Sequence, residues 1–297
     1  MTKQLKADLL LLMITVFWGA SYILTKMGLL ELQPYNLTAL RFLVAFVIAA
    51  AFFYKGILKT DWETLKYALI LSVILFLVFI TMTFGLQYTS ASNAGFLVSL
   101  SVVFIPIISA VFFKQRIEGK VIAGVSLAFV GIMLLTLNTQ LKISGGDLLC
   151  IACAVLFALH VIITGIYTQK VDSINLSVLQ LGFVGFFSLI FSLGTETFRM
   201  PATGLSWFAI LSLSILCTVV GYIVQTTAQQ YTSATHTGLI LSLEQVFSAI
   251  FAYLYLGEVL SARGYVGAVI LLISVLVAEL DITQLLRKLG GKQSSSA

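Results

Sequence analysis

The sequence predicts an all-α integral membrane protein of ten transmembrane helices, arranged as two inverted five-helix repeats. Three observations predict it. Charged residues make up only 10% of the 297 and apolar residues 60%, with a mean hydropathy of +1.07. A soluble domain carries roughly 25% charged residues because its surface must be hydrated, so lipid is the fitting solvent for this chain. Apolar stretches long enough to cross a bilayer, about 20 residues at 1.5 Å each, recur ten times between short polar breaks. Finally, a block of the first half returns in the second.

The spans are expected over residues 7–28, 36–54, 65–87, 92–113, 120–138, 147–168, 175–195, 206–229, 233–256 and 263–282. Connectors carry the turn and charge signals: Pro34, the stretch from Lys55 to Lys66, Lys114 to Lys120, Gly145-Gly146-Asp147, Pro201 and Gly257 to Gly264. None is long enough to fold as a soluble domain. The first span follows Lys3 and Lys6 in the manner of a signal peptide. It lacks a small-residue cleavage site and leads straight into further spans, so it is expected to be retained. The net charge of +5 comes from basic residues scattered through connectors and ends, which suits anionic headgroups rather than nucleic acid. With the N-terminus inside, twelve Lys and Arg residues fall on cytoplasmic segments and five fall outside or within spans. Both termini are therefore expected in the cytoplasm of a multi-pass plasma (inner) membrane protein.

The repeat is the strongest organisational signal. Gln87-Tyr88-Thr89-Ser90-Ala91 returns as Gln230-Tyr231-Thr232-Ser233-Ala234, an offset of 143. In the same register Gly95 matches Gly238, Ser99-Leu100 matches Ser242-Leu243, Val103-Phe104 matches Val246-Phe247, and Gly124 matches Gly267. Near the start of each half the offset is 139, so Asp8 falls on Asp147 and Asn36-Leu37 on Asn175-Leu176. The expected units are residues 1–140, residues 141–285, and a flexible cytoplasmic tail over 286–297. Five spans per unit is an odd number, so the second copy enters the membrane upside down. Inverted repeats place a site near the midplane between the halves and permit alternating access.

Phe17-Trp18-Gly19-Ala20-Ser21-Tyr22 followed by Lys26 resembles the first-helix signature of the drug/metabolite transporter superfamily, in its ten-helix EamA-type branch. Leu40-Arg41-Phe42, Tyr231-Thr232-Ser233-Ala234 and Leu256-Gly257-Glu258 with Gly267 also resemble that branch. The resemblance spans nearly the whole chain. It implies a secondary carrier for small metabolites, commonly amino acids or related compounds, often an exporter. One departure is that Lys114-Gln115 stands where the second half has Gly257-Glu258.

Polar residues deep in the spans are the candidate site, since they are expensive to bury in lipid. Glu244 falls at the middle of the ninth span and its repeat mate is Ser101. A lone carboxylate there must face protein or a wet cavity, as a proton-coupling group, an anchor for a substrate amine, or a hydrogen-bonded structural acid. Gln245 is next in sequence but points about 100° away, so the two are not expected to share a contact. His160, mid-way along the sixth span with Ser21 as its mate, is a candidate for binding substrate or for exchanging a proton with Glu244, or else a helix–helix hydrogen bond; Ser21 is likewise a substrate-binding candidate. His236 is expected at the membrane interface.

Trp18 and Tyr22 share one face of the first helix. With Tyr222 they offer aromatic walls for an amine or an aromatic substrate. Asn93, Gln225, Thr226 and Thr83 are cavity liners or ordinary interhelical glue. Arg41, two turns into the second span, is expected to snorkel to the outer interface, with pairing to a substrate carboxylate as the alternative. Asp8 and Asp147 are expected to complement helix dipoles. Asn36-Leu37-Thr38 matches a glycosylation pattern that opens a helix, and is assigned no meaning. Cys150 and Cys153 have CxxC spacing without a second ligand pair, and are expected in the core or facing lipid. Gly124, Ala128 and Gly131, with Gly264, Gly267 and Ala268, make small faces suited to close helix packing.

The composition and pattern therefore support a secondary active transporter with a small-molecule substrate, coupled to protons in one version, with no cofactor or metal. A monomer is expected, with a homodimer as the alternative. A multidrug or quaternary-cation exporter is the alternative within transport, and a membrane-embedded lipid-modifying enzyme is the alternative outside it. No HExxH, GxSxG or Walker motif occurs in the sequence, which disfavours both catalysis and ATP-driven pumping.

Overall fold

The computed structural model describes residues 2–89, 91–114, 116–136, 144–256 and 261–279. Among these, ten helical rods are present and no strand. The first half has α1 (Lys3–Leu29), α2 (Pro34–Ile57), α3 (Trp62–Tyr88), a fourth rod made of α4 (Ala91–Ser99) and α5 (Ser101–Val111), and α6 (Gly119–Thr136). The second half has α7 (Gly145–Tyr167) and α8 (Ser173–Thr195). Its eighth rod runs from α9 (Gly204–Ser212) through a π-helical stretch, Leu213–Val220, into α10 (Gly221–Ala228). The ninth joins α11 (Ala234–Leu241) to α12 (Glu244–Leu256), and α13 (Ala262–Glu279) is the last. Eight rods are long and apolar enough to span a membrane, and α6 and α13 carry shorter apolar stretches. Large apolar side chains such as Leu9, Val47, Phe52, Leu193 and Val269 stay exposed on the rods, as contact with hydrocarbon requires.

Local chemistry sets the rod ends. Pro34 occupies the first turn of α2, where a missing N–H costs nothing. Asp61, Asp172, Thr203 and Ser233 each accept a backbone N–H at the start of α3, α8, α9 and α11. Thr2 caps α1 through Leu5 N–H (3.2 Å), so that helix begins four residues before the expected span. Asp8 consequently sits in its second turn and is no dipole cap. Asp147 does serve its helix start, in a reciprocal capping box with Ser144.

The rods pack in a pseudo-two-fold pattern. α2 lies against its repeat mate α8, and α6 against its mate α13. α3 packs on α7, as its mate, the eighth rod, packs on α1; the fourth rod packs on α7, as the ninth packs on α1. Two asparagines lock this arrangement at equivalent positions. Asn36 Oδ1 accepts Arg199 N–H (3.1 Å), and Asn175 Nδ2 donates to Gly56 C=O (3.2 Å). Asn36 is fully buried, which removes it as a glycan acceptor. The small faces meet as expected at Gly131, where a Cβ would lie 2.8 Å from Leu271 N and 2.9 Å from Gly267 O.

The fourth and ninth spans, expected as continuous helices, are each broken, and at equivalent residues: Leu100 in one, Ser242-Leu243 in the other. Ser99 and Ser242 turn their hydroxyls back onto Gly95 O and Leu239 O, competing with the helical ladder. Bonds of the tighter three-residue kind take over, including Val103 N–H to Leu100 O and Val246 N–H to Leu243 O. Ser101 and Glu244 therefore each open a new helix at mid-depth. Cys150, Cys153 and Cys217 are buried free thiols. Ser90, Gln115, Gly257-Glu258, the junction at 140–141 and the tail over 286–297 lie outside the described residues.

Candidate functional site

Discontinuous helices leave a cavity of about 50 Å³ at the centre, between α1, α2, α3, α4, α7, α10 and α12. Trp18, Ser21 and Tyr22 line it from α1, joined by Tyr222 and Glu244, five of the residues expected there. Gly19 makes the geometry feasible. A Cβ on it would lie 2.7–2.8 Å from Phe247 Cβ, Glu244 O and Ser248 N, so α1 rests directly on the backbone that opens α12. That contact brings Tyr22 OH to Glu244 Oε1, to which it donates at 2.9 Å. Gln245 Nε2 reaches the same oxygen at 3.4 Å, against the expectation of no shared contact. The helix begins at Glu244 here, so the 100° spacing of a continuous helix does not separate the two long side chains.

Trp18 Nε1 donates to Cys217 C=O across the cavity wall (2.8 Å). That carbonyl lies in the π-helical stretch, where the hydrogen-bond ladder shifts register. Thr218, next along, donates to Leu213 O at the five-residue spacing of that stretch (2.8 Å) and accepts Arg41 Nε–H (2.7 Å). Trp18 also packs on Phe157 (6.0 Å, edge-on) and Tyr222 (5.4 Å), and Tyr222 meets Phe79 edge-on at 6.0 Å.

Arg41 is the cavity residue that the sequence misplaced. It does not snorkel: it is 2% exposed and lines the cavity with Glu244. Its guanidinium lies 4.6 Å from the Phe79 ring centroid and 5.7 Å from that of Phe42. The reason is the packing of α2 into the centre, against α8 and the π-helical stretch. A signal was present in the repeat, because its mate at the offset of 139 is also polar, Gln180.

His160 is fully buried but does not line the cavity. Its Nε2 meets Gln180 Oε1 at 3.1 Å, and its ring faces Phe157 and Tyr222 rather than Glu244. Direct proton exchange with Glu244 is thus not supported by this conformation. Gln180 Nε2 continues to Thr226 Oγ1 (3.5 Å), while Gln225 Nε2 donates to Gln229 Oε1 (3.2 Å). Gln225 and Thr226 belong to this buried polar seam rather than to the cavity. Thr83 donates to Phe79 O within its own helix. Asn93 lies in α4, and its side chain falls outside the described residues.

A second, polar space of about 640 Å³ opens at the end of the bundle where α1 begins, lined by Thr2, Asp8, Arg116, Lys120, Tyr231 and His236 among others. His236 is buried there, with Nε2 3.6 Å from Asp8 Oδ1. At the opposite end the mate of Asp8 is bridged: Asp147 Oδ1 accepts the Thr89 hydroxyl (2.8 Å), and Lys26 Nζ donates to Thr89 O (3.1 Å).

Two separate segments, residues 5–137 and 144–280, match the model of the EamA-like transporter family. The chain belongs to the EamA-like transporter family. The EamA match falls twice, once on each five-helix half. Among relatives, an uncharacterized transporter of Archaeoglobus fulgidus is 31% identical over 281 residues, covering 94% of this chain and 88% of that one. A protein of Escherichia coli K12 described as a probable amino-acid metabolite efflux pump is 29% identical over 287 residues, covering 90% and 92%. A crystal structure sharing 18% identity superposes with a TM-score of 0.79 over 94% of this chain and 98% of that one, so the two share a fold. The chain is thus a multi-pass membrane protein of a transporter family.

Proposed function

We propose that this protein is a secondary carrier that exports amino acids or related amines by alternating access, with Glu244 as the group that binds substrate amine and exchanges protons. The observation that carries this is the place of Glu244. It stands at the broken midpoint of the ninth rod, in a cavity between the halves, and its Oε1 is held by Tyr22 from the opposite half. Half-helix ends at mid-depth are where transporters of inverted-repeat design bind their cargo. The efflux function named for the Escherichia coli relative is in keeping with this direction of transport.

In this reading the moving bodies are the two repeats, 1–140 and 141–285, both termini are cytoplasmic in the plasma (inner) membrane, and the 640 Å³ space faces the cytoplasm. The bridged Asp147–Thr89 end then faces outward. A quaternary-cation exporter is the second reading, favoured by the aromatic residues Trp18, Tyr22 and Tyr222 around the carboxylate. The test is uptake into proteoliposomes under an imposed pH gradient, using substrates found by thermal-shift screening of amino acids, polyamines and quaternary amines. Glu244→Gln is expected to abolish gradient-driven uptake while leaving folded protein. Gradient-dependent uptake that survives the substitution unchanged sinks the proton-exchange role.

A further inference from the structure

Arg41 has a role that amine export alone leaves unexplained. Its guanidinium has five N–H donors, and among the described residues only Nε is engaged, by Thr218. Among the described residues it forms no salt bridge, and its terminal nitrogens donate no hydrogen bond. Rings of Phe79 and Phe42 flank it. A desolvated cation without a counter-ion is costly to maintain, and beside a site for bare cations it is also repulsive. The same cavity holds one carboxylate, Glu244, whose Oε1 is taken by Tyr22 and Gln245. Its Oε2 accepts no bond from a described residue.

The cavity therefore presents one fixed charge of each sign, each with unused hydrogen-bonding capacity, separated by aromatic walls. Each charge comes from a different half: the mate of Arg41 is the neutral Gln180, and the mate of Glu244 is the neutral Ser101. We propose that Arg41 and Glu244 form a two-point site for a zwitterion. The terminal N–H groups of Arg41 take the carboxylate of an amino acid in the paired geometry that a planar guanidinium offers. Glu244 takes its ammonium group, and Trp18, Phe79 and Tyr222 contact its side chain. The site rests on the carrier assignment above and narrows it, since it selects amino acids over amines and quaternary cations. At about 50 Å³ the cavity holds one or two waters of roughly 30 Å³ each. Binding an amino acid thus requires the halves to part, which couples charge recognition to the alternating movement.

The test uses the full chain in lipid nanodiscs and titration calorimetry with matched probes: L-phenylalanine, phenethylamine and 3-phenylpropionate, then L-leucine, isoamylamine and 4-methylpentanoate. The wild type is expected to bind one or both amino acids at least about tenfold tighter than either truncated analogue, the scale of one charged hydrogen-bonded contact. Arg41→Gln should erase the advantage over the amine while leaving amine affinity within about threefold, well under one such contact. Glu244→Gln should erase the advantage over the acid. Equal wild-type affinity for amino acid and amine overturns the zwitterion site but leaves amine export standing. So does an Arg41→Gln loss that falls equally on all three probes, which marks a purely structural arginine. If the wild type binds no amino acid and no amine, the carrier assignment itself fails, and the site with it. Should Arg41→Gln not give monodisperse protein, Arg41→Lys keeps the charge without the planar fork. It should weaken amino-acid binding several-fold and leave amine binding alone; no selective loss overturns the site.

Discussion

The two halves of this protein share a backbone plan and differ in the chemistry they bring to the centre. Trp18 stands where the second half has Phe157, and Phe79 where it has Tyr222; both pairs of mates touch, each at 6.0 Å. Arg41 stands opposite Gln180 in the repeat, Glu244 opposite Ser101, and His160 opposite Ser21. Each half thus gives the cavity one charged residue at a position where its mate is neutral. The halves also differ in one rod: α3 is a continuous helix, whereas its mate carries the π-helical stretch that presents Cys217 O and Thr218 Oγ1. On an equal frame, the unequal side chains make the centre polar, with its cation from the first half and its carboxylate from the second.

The largest effect that can break this comparison is expected at Gly19. Its mate is Ala158, so Gly19→Ala merely copies the second half into the first. If the halves packed alike, the change would be silent. The Cβ would instead meet the backbone of α12 at Glu244 and Ser248, where no side chain can rotate away. Overpacking of this kind costs about 1–3 kcal/mol or more, so a fall of several degrees in the apparent Tm of purified protein is expected. Gly204→Ala, at a position with open space around it, is the control and should be tolerated. A silent Gly19→Ala would show that the rods can separate there freely.

A smaller effect is expected for Trp18→Phe, which copies Phe157. It preserves an aromatic wall but removes the donor to Cys217 C=O, a loss of about 0.5–1.5 kcal/mol for one hydrogen bond. Thermal stability should fall and substrate affinity should weaken, whereas Phe157→Leu, which also alters the cavity lining but removes no hydrogen-bond donor, should lower stability less. Unchanged stability and affinity in Trp18→Phe would reduce Trp18 to a space-filling residue and remove the asymmetry from this part of the wall.

Much of this was legible in the sequence because lipid permits few alternatives. A spanning rod must hide its backbone in a helix of about 20 apolar residues, so ten rods and their order could be read from hydropathy, and the repeat supplied the correspondence between the two halves. The breaks at Leu100 and Ser242-Leu243 were not legible as breaks, since hydropathy is blind to hydrogen-bond register. The recurring Ser-Leu pair marked both positions without saying what happens there. The π-helical stretch has no residue signature at all. Glu244, Trp18 and Tyr22 were found because a polar or aromatic residue at mid-depth is conspicuous. Arg41 was misread because depth along a helix says nothing about which face points inward, and that depends on how closely α2 packs against α8.

The smallest expected effect concerns the connections that hold the halves together at each end. The 196–203 connection is tied to the start of α2 by two carboxylates. Glu196 accepts Tyr35 and Asn36 N–H (3.0 and 2.8 Å), and Glu31 accepts Ala202 N–H (2.9 Å) and the Thr203 hydroxyl. At the equivalent place in the other connection, Asn175 holds Gly56 through a neutral bond. The Thr203 hydroxyl, followed by Ala202 N–H, holds the Glu31 carboxyl below its ordinary value of 4.5. A folded-state value depressed in this way contributes stability that is present above the unfolded value and is lost as pH falls through the folded one. Glu31→Gln should therefore lower the apparent Tm slightly at pH 7 and speed amide exchange at Ala202 and Thr203. Both differences from wild type should shrink as the pH drops below about 4.5, the unfolded glutamate range, while exchange at Gly56 and Asn175 stays unaffected. A difference that persists unchanged into acid would mean that Glu31 acts through packing and not through its charge.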